Sequence, residues 1–326
     1  MTEHRLYYAY ARHAMVTALR LVRVSQGGSV LIPDFICRDV LASLVAVGAE
    51  PVFYSIGDDL QVSPNQTLPD ADAFIAVNYF GFPTDLQRVR SLLASTRTPI
   101  IEDNAHGWLS AGNDGVPLGT RSEVSVTSFR KSIRLPDGAC LEWRDGSNLD
   151  ISVLHPPLAP RNEATSVGFA LRRAAQSVDR FSPISVMSLG RRAVRTLRRL
   201  GGKASVNEHL NEEWELPAHR AIHQMSLELI SRVDTAAEIR RRRELFERCL
   251  AAAAQLQVDT PTPVLAPGVS PQGFPFFGDS GDVATLVKLV RRKRLGETIP
   301  WPALPKRSPL PEHSRLRTLQ LVNFLA

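Results

Sequence analysis

Apolar and polar positions alternate between two periods over the first 145 residues, and the predicted elements alternate with them. Across 13–22, Met15, Ala18, Leu19 and Val22 recur at the three- and four-residue spacing of one helix face. Residues 29–32 form a short β-branched run closed by Pro33, which reads as a strand. Residues 39–47 are apolar and predict a helix, with Gly48 in the position that commonly follows a helix end. Strands are predicted at 51–56, 73–77, 99–101, 123–129 and 139–143, and an amphipathic helix at 85–94. Strands alternating with helices imply an α/β fold, a mostly parallel sheet between helical layers. In such sheets ligands bind outside the carboxyl ends of the strands.

The pattern changes after 155. Residues 156–203 are rich in Arg, Ala and Ser, break at Ser182-Pro183, stop at Gly201-Gly202, and read as two basic helices. Pro217 opens a longer helical pattern running toward Ala254, with Ile222, Met225, Leu229, Val233 and Ala236 on one face. A smaller mixed segment follows Pro261-Thr262-Pro263, with a strand at 274–277, a helix at 283–294 and a proline-rich stretch at 300–311. The expected organisation is a large domain over 1–212, with a basic helical insert at about 156–203, and a small C-terminal α+β domain over 213–326.

Composition narrows this little. A chain of 326 residues suggests about two domains, and 44% hydrophobic with 22% charged residues is ordinary for a soluble globular protein. No apolar run approaches the roughly 18–20 residues of a membrane span. Met1-Thr-Glu-His lacks the profile of a signal peptide, so the cytoplasm is the expected compartment. Cys37, Cys140 and Cys249 are odd in number and show no CxxC spacing, so free thiols are expected rather than zinc or disulfides. The net charge of +6 comes with arginine clusters at 172–173, 191–199, 240–243 and 291–294. These read first as solvated helix faces. A dock for an anionic membrane through 172–199 is a further expectation, and nucleic acid is not expected because no RNA-binding or helix-turn-helix signature accompanies the charge.

Candidate chemistry rests on a scarcity of lysine. Of 39 basic residues only Lys131, Lys203, Lys288, Lys293 and Lys306 are lysines. Lys131 follows the predicted strand 123–129, and Glu102-Asp103 closes the strand before it. A carboxylate there can keep a pyridine nitrogen protonated while the amine forms a Schiff base with an aldehyde, a pairing that points to pyridoxal phosphate. His106, three residues past Asp103, is placed to hydrogen-bond a ring hydroxyl. Equally, Asp103 could cap a helix with His106 on the surface, or the two could begin a metal site. Ser128 sits where its hydroxyl can hold a phosphate, and Arg130 is a cationic neighbour that favours the free amine of Lys131. Arg130, Lys131 and Arg134 also fit an exposed basic turn. Arg12, ahead of the first helix, could add a charged contact to phosphate or simply be solvated.

Several motifs occur in order: Leu31-Ile-Pro-Asp-Phe-Ile36, Gly48-Ala-Glu-Pro-Val-Phe53, Tyr79-Phe-Gly-Phe-Pro-Thr-Asp-Leu86, Glu102-Asp-Asn-Ala-His106, Pro117-Leu-Gly119, Ser128-Phe129 and Asp137-Gly138. Together they resemble the DegT/DnrJ/StrS group of fold-type-I pyridoxal phosphate enzymes, the sugar aminotransferases, most clearly over 8–145. The resemblance implies that Asp103 pairs with the pyridine nitrogen and His106 with the ring hydroxyl. It also implies that Ser128 holds phosphate and that Lys131 is the Schiff-base lysine and proton shuttle. Arg12 and His13 fall where the family presents backbone amides to phosphate, and Phe35 lies near the packing around the ring. The implied activity moves an amino group from a donor such as glutamate to a keto-sugar, commonly nucleotide-linked, in polysaccharide or antibiotic-sugar synthesis, by a homodimer.

The chain also departs from the family pattern. Ser128 and Lys131 are three positions apart where the family has five, and Gly138-Ala139 replaces Gly-Gly. Ala11-Arg12-His13 lacks the glycine of the phosphate turn. Ile222-His-Gln-Met-Ser226 lacks the Asn and Arg of a segment through which a neighbouring subunit holds the cofactor. These departures support an alternative expectation, a non-catalytic relative serving as partner subunit or regulator.

Overall fold

The computed structural model describes residues 3–146, 148–163 and 213–325. The two basic helices expected within 156–203, the Arg-rich 172–199 surface and the boundary near 212 lie largely outside the described residues. Residues 156–163 are irregular, and Arg161 pairs in an isolated bridge with His223.

Seven strands form the main sheet: β1 (Glu3–Tyr8), β2 (Ser29–Pro33), β3 (Glu50–Tyr54), β4 (Ala73–Val77), β5 (Ile100–Asp103), β6 (Val124–Ser128) and β7 (Ala139–Arg144). Their spatial order is β1-β7-β6-β5-β4-β2-β3. Strands β3, β2, β4, β5 and β6 are mutually parallel, while β7 runs antiparallel to both β6 and β1. Every residue of β4, β5 and β6 is buried, as a parallel sheet covered on both faces requires. The strand order reverses between β2 and β4, and Asp103 and Ser128 lie at the carboxyl ends of β5 and β6.

Three helices belong to this half: α1 (Ala11–Leu21), α2 (Leu41–Val47) and α3 (Leu86–Leu92). Helix α1 packs on β6 and β7 and against α2, burying Met15, Ala18 and Leu19. Helix α2 ends where Gly48 adopts φ 73, a left-handed conformation that glycine takes without steric cost. Helix α3 starts at Asp85, whose carboxylate accepts the amides of Gln87 and Arg88.

Strand β1 is absent from the sequence expectations. It is an edge strand pairing only with β7, and its inward set is short: Leu6 and Tyr8, the latter donating to Thr17 Oγ1 at 2.9 Å. Three alternations are too few to stand out in the sequence.

The C-terminal segment holds α4 (Gln224–Ser231), α5 (Thr235–Gln255), β8 (Gly273–Phe277), α6 (Val283–Arg292), β9 (Glu297–Pro300) and β10 (Leu319–Asn323). The single helical pattern read from Pro217 toward Ala254 is two helices. Ile222 and His223 precede the first, and the chain breaks at Arg232–Asp234, where Asp234 caps α5 through Ala237 N–H at 2.9 Å. The three strands make an antiparallel sheet in the order β8-β10-β9. Strand β10 serves two cores: Leu319 and Leu321 join the core of the large sheet, and Val322 faces Phe246, Phe274, Phe276, Leu286 and Val290. Neither β9 nor β10 is apparent in the sequence, because a proline-rich stretch separates short strands whose partners lie far along the chain. No helix among the described residues is long and apolar enough to cross a membrane.

Candidate active site

Successive side chains of a strand point to opposite faces, so the paired carboxylates closing β5 separate. Glu102, with no exposed surface, is a structural hub. It accepts the amides of Gly119 (3.2 Å), Arg121 (2.8 Å) and Ser122 (2.9 Å), the Arg121 guanidinium at 2.9 Å, and Asn78 Nδ2 at 3.1 Å. Asp103 faces the other way and lines a cleft with Tyr10, Arg12, Asp39, Ser128 and Lys131. Its Oδ1 accepts Ala105 N–H at 3.0 Å. Burial raises its carboxyl above the usual range, while the Lys131 charge opposes the rise.

Strand β6 delivers Ser128 to the cleft, and a single helical turn, Phe129–Lys131, carries the lysine. The spacing of three therefore still places the lysine in the cleft that Asp103 lines, with Lys131 Nζ 3.1 Å from His106 Nε2. Two side chains from the C-terminal segment hold this turn. Gln272 Nε2 donates to Lys131 O at 3.1 Å, and Arg242, 1% exposed, donates to Ser132 O at 2.9 Å while its Nε reaches Glu238 at 2.7 Å.

His106 is buried, stacked on Phe80 with centroids 5.6 Å apart and rings 6° from parallel, and it meets Trp301 edge-on. Burial, reinforced by the Lys131 charge, pushes its imidazole well below the usual range, so the ring is neutral near pH 7. Phe80 adopts φ 54, a left-handed conformation costing a bulky residue roughly 1–3 kcal/mol. Gly81 follows at φ 92, where an added Cβ would sit 3.0 Å from Ser270 O and 3.3 Å from His106 O. The close approach of these backbones thus requires glycine at that position.

On the phosphate side, Arg12 stands in the first turn of α1, whose N-cap Tyr10 makes no side-chain cap. Its guanidinium lies 3.6 Å from Asp39 Oδ2, and Arg130 lies over the Tyr10 ring. Burial pushes the Cys37 thiol in this wall up to about 11, so it is uncharged.

Asp103, His106, Ser128, Lys131 and Arg12 therefore converge. His13 and Phe35 do not. The His13 ring turns to Pro217 O at 2.9 Å, and its amide donates to Tyr10 O within the first turn of α1. Phe35 lies one layer deeper, fully buried, stacked on Trp301 at 4.5 Å and beside Tyr79. Sequence reasoning missed Phe80, Asp39, Arg242, Gln272 and Trp301 as site residues. Phe80 lies within a quoted motif and could have been singled out; the others have no local signal. Among the described residues, no group of three His, Cys, Asp or Glu side chains gathers to hold a metal ion, and Asp103 and His106 face Lys131 instead.

Residues 2–141 match the model of the DegT/DnrJ/EryC1/StrS aminotransferase family. GDP-perosamine synthase of Vibrio cholerae is 31% identical over 162 residues, covering 48% of this chain and 42% of that protein. An arginine decarboxylase of Bacillus subtilis is 25% identical over 162 residues, covering 44% of this chain and 33% of that protein. These matches thus span less than half of the curated relatives. Among solved structures, Helicobacter pylori PseC, an aminotransferase involved in pseudaminic acid biosynthesis, superposes with TM-score 0.64 at 15% identity, covering 98% of this chain and 81% of that one. The aminotransferase TlmJ from Streptoalloteichus hindustanus gives 0.60 at 18% identity, covering 98% and 80%. The likeness to these solved structures shows a shared fold, and residues 2–141 are similar to the DegT/DnrJ/EryC1/StrS aminotransferase family.

Proposed function

We propose that the chain is a pyridoxal-phosphate-dependent aminotransferase that passes an amino group from a small-molecule donor to a keto-sugar, with nucleotide-linked sugars as the substrate class and a homodimer as the assembly. The observation that carries this reading is the 3.1 Å approach of Lys131 Nζ to His106 Nε2 in a cleft walled by the buried Asp103 carboxyl. A carboxyl stripped of water needs a positive partner, and a protonated pyridine nitrogen is one. The donor set therefore fits the cofactor. When bound, pyridoxal phosphate supplies a carbonyl carbon for the amino group and a ring that withdraws electrons.

The chain's own residues do the rest. Asp103 would hold the proton on the ring nitrogen, and neutral His106 would donate a hydrogen bond from Nε2. Lys131 Nζ accepts and returns a proton as general base and acid. Ser128 and Arg12, the latter in the first turn of α1, suit a phosphate dianion. Trp301 and Phe80, packed on His106, keep water from that side of the amine. The net charge of +6 favours an anionic, diphosphate-bearing substrate, and the likeness to GDP-perosamine synthase supports the same class.

One observation favours the alternative of a non-catalytic relative: Arg12 is already paired with Asp39, a carboxylate that competes with phosphate. A single experiment separates the two readings. Protein mixed with pyridoxal phosphate is expected to show imine absorbance, and borohydride is expected to fix the cofactor on Lys131 but not on the Lys131→Ala variant. Protein that stays colourless and unlabelled overturns the enzyme reading. Turnover of a nucleotide keto-sugar to an amino sugar, with glutamate as donor, tests the substrate.

A further inference from the structure

The ring nitrogens of His106 each face one group, and the contact at Nδ1 selects one protonation state. Nδ1 receives the backbone N–H of Phe80 at 3.3 Å, and Nε2 faces Lys131 Nζ at 3.1 Å. An imidazolium, or a neutral ring protonated on Nδ1, would set two N–H groups against each other at Phe80. A neutral ring has one donor and one acceptor, so its proton must sit on Nε2. Nε2–H then faces the side of the ring on which Lys131 Nζ lies.

We propose that the Phe80 amide is the tautomer lock of this site: Phe80, held in a left-handed turn by Gln272, fixes His106 as an Nε2 donor and so sets the polarity of the His106–Lys131 pair. Gln272 secures both ends of the arrangement. Its backbone N–H donates to Phe80 O at 2.8 Å, and its side-chain amide donates to Lys131 O at 3.1 Å. The backbone conformation of Phe80 is explained by the same contact. With φ 54 it directs its N–H onto the imidazole and its carbonyl to Gln272. Phe80 and Gln272 are positioning residues, since they act through His106 and Lys131. The proposal deepens the aminotransferase reading, because an Nε2 donor also suits the ring oxygen of the cofactor, but its first measurement needs no cofactor.

The test is nitrogen NMR of the chain labelled with 15N-histidine, with and without pyridoxal phosphate, the His106 signals being identified by their loss in His106→Gln. Across about pH 6 to 9, where unperturbed histidine is losing or has lost its charge, Nε2 is expected to resonate as a protonated nitrogen and Nδ1 as an unprotonated one. A protonated Nδ1 or an imidazolium overturns the proposal. Replacing the Phe80 amide by an ester, through incorporation of phenyllactic acid at position 80, removes that single N–H and keeps the ring. It is expected to shift the tautomer ratio roughly fivefold toward Nδ1–H, the equivalent of one ordinary hydrogen bond. An unchanged ratio in the ester overturns the role given to Phe80. Failure of borohydride to fix the cofactor on Lys131 would instead overturn the enzyme reading and leave the tautomer result standing.

Discussion

The seven-stranded sheet and the C-terminal segment serve the same cleft by opposite means. The sheet contributes the groups that react: Asp103 at the end of β5, Ser128 at the end of β6, and Lys131 one turn beyond. The segment from Gln224 onward contributes supports, reaching the lysine turn across 141 positions from Gln272 and 110 from Arg242. Reactive side chains sit on strand ends because strands are rigid and their direction is set by pairing. Their final placement is left to distant side chains that satisfy the exposed carbonyls of a tight turn. The lysine's geometry thus depends on the packing of a segment that carries no reactive group itself.

The comparison can be broken most severely at the hub of the sheet. Glu102→Ala leaves the Arg121 guanidinium and three amides without their acceptor, and a loss of about 3–5 kcal/mol is expected in urea unfolding.

Asp34 tests the junction of the two regions, since its backbone carbonyl accepts Ser308 Oγ and its Oδ1 accepts Ile56 N–H at 3.1 Å. Burial pushes its carboxyl up to about 6, above the roughly 3.9 of an unfolded chain. The folded state therefore binds this proton more tightly. The resulting stability is complete below about pH 4 and is lost as pH rises through about 6, amounting to about 3 kcal/mol. Asp34→Asn is expected to remove that decline, seen by subtracting the two proteins' stability profiles over the window.

Arg242→Met should cost less, about 1–3 kcal/mol, because Arg241 still pairs with Glu238 and only Ser132 O and Trp108 O lose donors. Its distinctive sign is faster hydrogen exchange at the turn after Lys131. A loss as large as that of Glu102→Ala would show that the supports matter as much as the hub. The smallest effect sharpens the same contrast. Asp85→Ala and Asp234→Ala each remove a helix cap, one in either region, and each should cost about 1 kcal/mol. If only Asp85→Ala lowers the main unfolding transition, the C-terminal segment unfolds separately.

Much of the sheet could be read directly from the chain. Residues 73–77 were expected as a strand with the bounds that β4 has, since a run buried on both faces needs no alternation to be recognised. The helix end at Gly48 was visible for a local reason as well, since glycine takes the left-handed conformation that closes a helix. The site was only partly readable. Asp103, His106, Ser128 and Lys131 follow strand ends and meet in space. His13 and Phe35 also lie near strand or helix ends, yet one turns to Pro217 and the other sinks beneath Trp301. Nothing within a few residues of Arg242, Gln272 or Trp301 marks them, because their partners lie far along the chain.

What the amino-acid order determined alone was periodic and local: which runs become strands or helices, where they stop, and which strand ends carry an acid or an amine. Tertiary structure decided the partners. It split Glu102 from Asp103 across the sheet, turned the Phe80 amide onto His106, and brought Gln272 and Arg242 to the lysine turn. Backbone propensity and side-chain alternation act over a few residues. Satisfying a buried amide or carbonyl is instead a requirement of the folded interior, and any residue that packing brings within reach can meet it.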